Sequence, residues 1–380
     1  MPKVMISAGE ASGDLHGASV AEALKNMSPD IELFGMGGAN MRAAGVDIVY
    51  DIAEISMMGF VEILWNLPNF FRLRNTLSRI MDELQPDVLV LIDYGGFHMA
   101  LAQVAKKKGI PVVYYICPKA WVWGKWRAKA IAGWVEKVAA IFPFEAEIYR
   151  EAGASVSFVG HPLVDIVRPS MDREAAYRHF GADPDRPLLL LLPGSRFQEV
   201  SSLLEIMMAA AKKVREQLPD CQFYLPVAST IPMDRIESVV QASGVPVVYT
   251  RNSTYNLMQI ADCAIAASGT VTLEAALMGL PSVIIYRVKT STYWLVRIVA
   301  NVSHVGLPNI VTGRRIMPEL IQNEATPDNV SRAALRLMTD PAVRAQAAAD
   351  LKEVRVNLGE PGAVKRVASI VLDVASGRKE

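Results

Sequence analysis

The sequence carries no net charge: Lys and Arg together number 39, and so do Asp and Glu. That balance leaves no overall field to draw a nucleic acid. Cysteine is scarce. Cys117, Cys221 and Cys263 stand far apart without metal-ligand spacing, and they read as buried thiols in a reducing compartment. No apolar run reaches the ~20 residues of a membrane span. The chain enters a strand at once, Val4 to Ser7, with no charged leader ahead of an apolar core. A cytoplasmic protein is therefore expected. Two nucleotide signatures are also missing. There is no G-x-x-x-x-G-K-S/T. The glycines at 9, 13 and 17 do not make a G-x-G-x-x-G fingerprint, and no acid closes the second strand to hold an adenosine ribose. Asp183-Pro184-Asp185 has the spacing of a metal-binding D-x-D, but its central proline and linker setting make it a turn.

Strands alternate with helices along the whole chain. In the first half, apolar runs at Val4–Ser7, Ile31–Met36, Asp87–Ile92, Pro111–Ile116, Lys137–Phe142 and Ser157–Val159 read as strands. In the second half, Leu188–Leu192, Gln222–Pro226, Val245–Tyr249, Cys263–Ala267 and Ser282–Tyr286 repeat the plan. A stretch rich in Pro, Asp and Arg, Arg168–Arg186, separates the halves. The pattern predicts an α/β protein with two doubly wound parallel sheets. Residues 1–168 and 169–355 form the two domains, and 356–380 is a C-terminal helix returning to the first. Ligands of such sheets bind beyond the carboxyl ends of the strands, here expected in the cleft between facing domains.

Several turns at strand ends carry polar groups. After Cys263–Ala267 come Ser268, Gly269 and Thr270, small residues suited to opening and capping a helix whose N-terminus would receive a phosphate. Glu274, one turn on, is placed for ribose hydroxyls, or is an ordinary first-turn acid favoured by the helix dipole. Arg196 ends the Pro193–Arg196 turn before a long helix. In the first half, the Gly9–Asp14 turn allows close approach to a ligand, or is simply a tight βα turn. Trp121, Trp123 and Trp126 interleave with Lys125, Arg127 and Lys129, as a sugar or anion clamp or as a packing face. The region from Val104 to Lys137 has eight basic residues and one acid, and Arg287–Arg315 has five basic residues and none, which reads as local anion sites or solvated faces. Gly59–Arg79 is crowded with apolar side chains, interrupted by Pro68 and followed by arginines. It is either a core helix or one that dips into a membrane surface.

Nine segments together give the chain a close resemblance to the lipid-A-disaccharide synthases, GT-B glycosyltransferases of outer-membrane biosynthesis. They are AGEASGD at Ala8–Asp14, MMGFVE at Met57–Glu62, PDVLVLID at Pro86–Asp93, CPKAWVW at Cys117–Trp123, FPFE at Phe142–Glu145, VGHPL at Val159–Leu163, LLPGSR at Leu191–Arg196, ASGTVTLE at Ala267–Glu274 and GLPNIV at Gly306–Val311. They span nearly the whole chain in order. After Asp93, where many relatives carry Pro-Asp-Phe-Asn, this chain has Gly95-Gly96-Phe97-His98, so no second acid is available; Cys117 stands where serine often does.

The resemblance implies an inverting transfer from UDP-2,3-diacylglucosamine to 2,3-diacylglucosamine 1-phosphate, giving UDP and a β-1,6 disaccharide 1-phosphate. It implies no cofactor and no metal. Asp93 takes the base-like role, against the bland reading that it caps the following helix. Arg196 neutralises the departing diphosphate. Ser268, Gly269, Thr270, Glu274 and Asn309 hold UDP, and Glu10, Ser12, Asp14, Trp121, Trp123, Arg127 and His161 lie on the sugar side. Both substrates carry acyl chains, so the enzyme should work peripherally on the cytoplasmic surface of the inner membrane. That requirement favours a membrane-facing Gly59–Phe71, with Val61, Ile63, Leu64, Leu67, Phe70 and Phe71 against lipid. No nucleic acid partner is expected, and a homodimer is left open. Two other classes fit parts of the pattern: a UDP-sugar 2-epimerase, and a non-catalytic nucleotide-binding membrane regulator.

Overall fold

Val-Leu-Val-Leu-Ile at 88–92 and five consecutive leucines at 188–192 are buried along their full length. Unbroken apolar runs of this kind belong to parallel strands covered on both faces. Each lies inside its own parallel sheet in the computed structural model, which describes residues 1–56, 67–288 and 303–377.

The first sheet contains β1 (Lys3–Ala8), β2 (Glu32–Gly37), β3 (Asp47–Asp51), β4 (Val88–Ile92), β5 (Val112–Tyr115), β6 (Lys137–Ala140) and β7 (Val156–Phe158). Their spatial order is β3-β2-β1-β4-β5-β6-β7, with every pairing parallel. The second contains β8 (Leu188–Leu192), β9 (Gln222–Pro226), β10 (Val247–Thr250), β11 (Cys263–Ala267), β12 (Ser282–Tyr286) and β13 (Glu319–Ile321). Its order is β10-β9-β8-β11-β12-β13, again parallel throughout. Period-2 alternation divides the second core. Leu189, Leu191 and Ile265 face one helical layer, while Leu188, Leu190 and Ala264 face the other. Sequence order reverses direction between β1 and β4 in one sheet and between β8 and β11 in the other. These are the switch points, where loops part and leave a crevice.

The chain divides into two units, Met1–Pro162 with Glu360–Glu380, and Leu163–Gly359. The helix Ala363–Ala375 belongs to the first, where it packs along Ala11–Met27. Arg366 Nε donates to the Val159 carbonyl at 2.9 Å.

The helix Leu67–Leu84 corrects one expectation. Phe70, Leu73, Leu77 and Met81 follow helical spacing and turn inward, and Phe70 stacks edge-on against Phe97 at 5.3 Å. Phe70 is thus a core contact and does not face lipid. Phe71, one position on, is 43% exposed with the Arg74 guanidinium 4.9 Å from its ring centre. Val61, Ile63 and Leu64, and the Leu67 side chain, lie outside the described residues. No described helix is long and apolar enough to cross a membrane.

Candidate active site

Some of the expected site residues follow the switch-point strands of the two sheets directly. In the first unit, Glu10, Ser12 and Asp14 follow β1, and Asp93 follows β4. In the second, Arg196 follows β8, and Ser268 to Thr270 follow β11.

Asp93 has φ 54° and Tyr94 φ 51°, two successive non-glycine residues in the left-handed region. Such backbone costs of order 1–3 kcal/mol per residue and persists only where its surroundings enforce it. The Asp93 carbonyl accepts hydrogen bonds from His98 Nδ1 at 2.7 Å and from the Tyr114 hydroxyl at 3.1 Å. Its carboxylate has no hydrogen-bond or ion-pair partner among the described residues, and the helix Gly95–Lys107 has no side-chain cap. The capping reading of Asp93 is therefore corrected. His16, half-buried, feels the Asp93 charge; burial outweighs it and pulls the imidazole pKa below its usual value. The His16 ring also meets Tyr115 edge-on at 6.3 Å. Gly9 has a steric role, because a Cβ there would fall 2.2 Å from the Tyr94 ring.

Other sugar-side residues divide sharply. Asp14 is buried, and its carboxylate accepts from the Gly38, Asn40 and Met41 amides and from Asn40 Nδ2, at 2.6–3.1 Å. It caps the short helix Ala39–Ala43 and has no free edge for a sugar. His161 is buried against Phe142, ring centres 4.9 Å apart, and burial pulls its pKa down to about 3. Its ring is therefore neutral and packed in the first unit. Glu10 precedes the helix Ala11–Met27 without a side-chain cap bond, and Ser12 is exposed in its first turn. Trp121 meets Phe144 edge-on at 5.4 Å. Arg127 lies 5.4 Å from the Trp126 ring centre. The Trp123 side chain lies outside the described residues. Trp121 Nε1, Arg127 Nε and Glu145 Oε2 are buried polar atoms without a hydrogen-bond partner among the described residues. Burial raises the Glu145 pKa to about 8, so it is largely protonated at neutral pH.

In the second unit the helices Phe197–Gln217 and Thr270–Leu277 begin directly after the adjacent strands β8 and β11, one in each helical layer. Neither is capped by a side chain, contrary to the expectation for Ser268 and Thr270. Ser268 Oγ instead donates to the Val305 carbonyl at 3.2 Å, while Gly269 and Thr270 are exposed. The Arg196 side chain is 82% exposed, paired at 3.0 Å with Glu199. A pair this open contributes little and exchanges readily for a stronger anion. Glu274 accepts from the Tyr255 hydroxyl at 3.2 Å and its pKa is raised by burial.

Asn309 differs from its expected role. It is fully buried: Nδ2 donates to the Met317 carbonyl and Glu319 Oε1, and Oδ1 accepts from the Ile316 and Met317 amides. With those four bonds it has no group left for a uracil or diphosphate. Glu319, also buried, gathers the Val305 and Gly306 amides as well. The pair is a clasp that shapes the loop touching Ser268. Among the described residues, no group of three or more His, Cys, Asp or Glu is arranged to hold a metal.

Sequence reasoning missed Ser7, His16, His98 and Tyr114. A lone histidine or serine on an apolar strand or helix gives no signal in one sequence. FPFE did point to Glu145, as a motif without a role.

Two units, each built on a parallel α/β sheet whose strand order reverses once, define the architecture of a GT-B glycosyltransferase. The family model described as Lipid-A-disaccharide synthetase matches residues 4–374, and the chain belongs to that family. The lipid-A-disaccharide synthase of Geobacter sulfurreducens is 44% identical over 372 residues, covering 98% of this chain and 97% of the relative. That of Nitrosococcus oceani is 37% identical, covering 99% and 97%. Among solved structures, a UDP co-structure of S. aureus MnaA superposes with a TM-score of 0.67 at 14% identity, covering 100% of this chain and 98% of the other. Acinetobacter baumannii MurG gives 0.59 at 14%, covering 98% and 100%. At those identities the likeness is one of fold.

Proposed function

We propose that the chain joins UDP-2,3-diacylglucosamine to 2,3-diacylglucosamine 1-phosphate with inversion. In this reading residues 1–168 serve the acceptor, 169–355 hold the UDP-sugar, and 356–380 complete the first domain. The Asp93 carboxylate removes the proton from the acceptor 6-hydroxyl. That oxygen bonds to the donor anomeric carbon as the bond to UDP breaks on the opposite face. The leaving diphosphate meets the Thr270 helix terminus and Arg196, whose Glu199 partner it displaces. Charge builds there in the transition state, so a cation meeting it lowers the barrier more than it tightens binding. Glu274 takes the ribose hydroxyls. The observation that carries the reading is Asp93 itself: a carboxylate without a partner among the described residues, on enforced, strained backbone at a sheet switch point.

The acyl chains of both substrates favour work at the cytoplasmic surface of the inner membrane, with the exposed Phe71 and Arg74 on the acceptor unit as contacts. Incubation with both lipid substrates tests the proposal. Disaccharide and UDP support it; epimerised donor, or binding without turnover, removes it.

A further inference from the structure

We propose that Ser7 and His98 form a positioning clamp that aims the Asp93 carboxylate, so that His98 acts in the transfer through the backbone of the base. The inference rests on the assignment of Asp93 as the base.

Hydrogen-bond directions follow from the geometry. A carbonyl only accepts, so the 2.7 Å contact between His98 Nδ1 and the Asp93 carbonyl puts a proton on Nδ1. His98 is fully buried, and burial lowers its pKa to about 4, so the ring is neutral and Nε2 is an acceptor. Ser7, also fully buried, stands 2.9 Å from Nε2 and must donate to it. The relay runs one way: Ser7 hydroxyl to His98 Nε2, His98 Nδ1 to the Asp93 carbonyl. Tyr114 fills the second acceptor direction of that carbonyl, and the Asp93 amide donates to the Tyr115 carbonyl at 3.3 Å. Anchors from β1, β5 and the Gly95–Lys107 helix thus hold the two peptide units that flank the Asp93 Cα. Next to it the Tyr94 ring sits over Gly9 and meets His98 edge-on at 5.6 Å.

A turn needing left-handed backbone for packing alone is ordinarily built with glycine. Here two side-chain-bearing residues occupy that conformation, and three side chains, Ser7, His98 and Tyr114, are spent on one carbonyl. None touches the carboxylate. The arrangement leaves the acid free and fixes its direction, as a base acting along one hydrogen bond requires.

Two near-isosteres separate the bonds of the clamp. In His98→Asn the amide nitrogen replaces Nδ1 and keeps the donor to Asp93. In His98→Gln the amide reaches the Nε2 position toward Ser7, and the donor to Asp93 is lost. Turnover, donor KM, UDP affinity and melting temperature are measured for both, beside Asp93→Asn. His98→Gln should lose about 10–100-fold in kcat, as a displaced base does, with donor KM and UDP affinity unchanged. His98→Asn should recover most of the turnover. A purely structural histidine would instead give losses that follow melting temperature and do not favour Asn. Unimpaired kcat in a folded His98→Gln, with Asp93→Asn inactive, overturns the clamp alone. Retained turnover in Asp93→Asn removes the base and the clamp together.

Discussion

Asp93 and Arg196 hold equivalent places, each on the turn after a strand at the switch point of a parallel sheet, yet their surroundings are opposite. Asp93 stands on backbone gripped by buried Ser7, His98 and Tyr114. Arg196 extends into solvent, paired among the described residues with the half-buried Glu199. The physics of the two tasks accounts for the contrast. A base moves a proton along one short bond, so direction decides its rate. A cation meeting a diphosphate acts through a field that falls off slowly, and a long flexible side chain serves. In the second unit the buried pair Asn309 and Glu319 shapes a loop and leaves the cation alone.

The contrast breaks most visibly at Asp93. Asp93→Asn should lower turnover at least ~100-fold, within the range of general-base contributions, while UDP affinity by calorimetry stays unchanged. Wild-type turnover would show that the carboxylate is not the base. Arg196→Ala should weaken UDP binding about 10-fold or more, the scale of a charged hydrogen bond, and lower turnover further. Arg196→Lys should recover part, because lysine supplies charge without the guanidinium fork. Full recovery would mean that a point charge suffices.

Asn309→Ala sharpens the comparison from the structural side. It removes one donor from Glu319 and one from the Met317 carbonyl and strands the Ile316 and Met317 amides, at a cost of about 2–3 kcal/mol. The melting temperature should fall, with UDP affinity of the folded fraction near normal. A large affinity loss without destabilisation would return Asn309 to the nucleotide site.

The two units should also respond differently to pH. A histidine with a lowered folded pKa binds protons more readily when unfolded. Its contribution is complete above the ordinary value of 6.5 and is lost as pH falls toward the folded value, about 4 for His98 and about 3 for His161. Glu145 works in reverse. Its folded pKa is raised from 4.5 to about 8, so its contribution is complete below the ordinary value and is lost as pH rises through 8. All three lie in the first unit. Calorimetry should show that unit melting earlier at pH 5 and at pH 9 than at pH 7, with part of the acid loss relieved in His98→Asn. A pH-independent melting profile would contradict the burial of these groups.

The smallest effect separates two neighbours. Phe70→Ser removes a half-buried core ring and should cost about 1–3 kcal/mol. Phe71→Ser should leave melting nearly unchanged and weaken association with anionic vesicles. Equal destabilisation by both would place Phe71 in the core as well.

Much of the fold was legible because buried parallel strands are written as apolar runs. Leu188–Leu192, Gln222–Pro226, Cys263–Ala267 and Ser282–Tyr286 have the bounds read from the sequence. The edge strands β3, Asp-Ile-Val-Tyr-Asp, and β13, Glu-Leu-Ile, were missed, since both are short and each opens with an acid. Spacing alone would have turned Phe70 inward, for it leads the stripe through Leu73, Leu77 and Met81. The roles of Asp14 and Asn309 were not legible. Whether a carboxylate or amide faces a ligand or a loop depends on which amides fold onto it, and those lie on other turns. His98 was read only as a departure from relatives; its partner Ser7 is 91 positions away in sequence.

The return of the last helix has a consequence for how the protein is made. Ala363, Val367, Ala368 and Val371 are buried in the first unit, yet they leave the ribosome after all of Leu163–Gly359. At 5–20 residues per second, those ~200 residues take about 10–40 s. Throughout that interval the nascent first unit, complete in its seven strands, exposes an apolar strip along Ala11–Met27. A holding chaperone has its natural target there, and the first unit to be translated is the last to be finished.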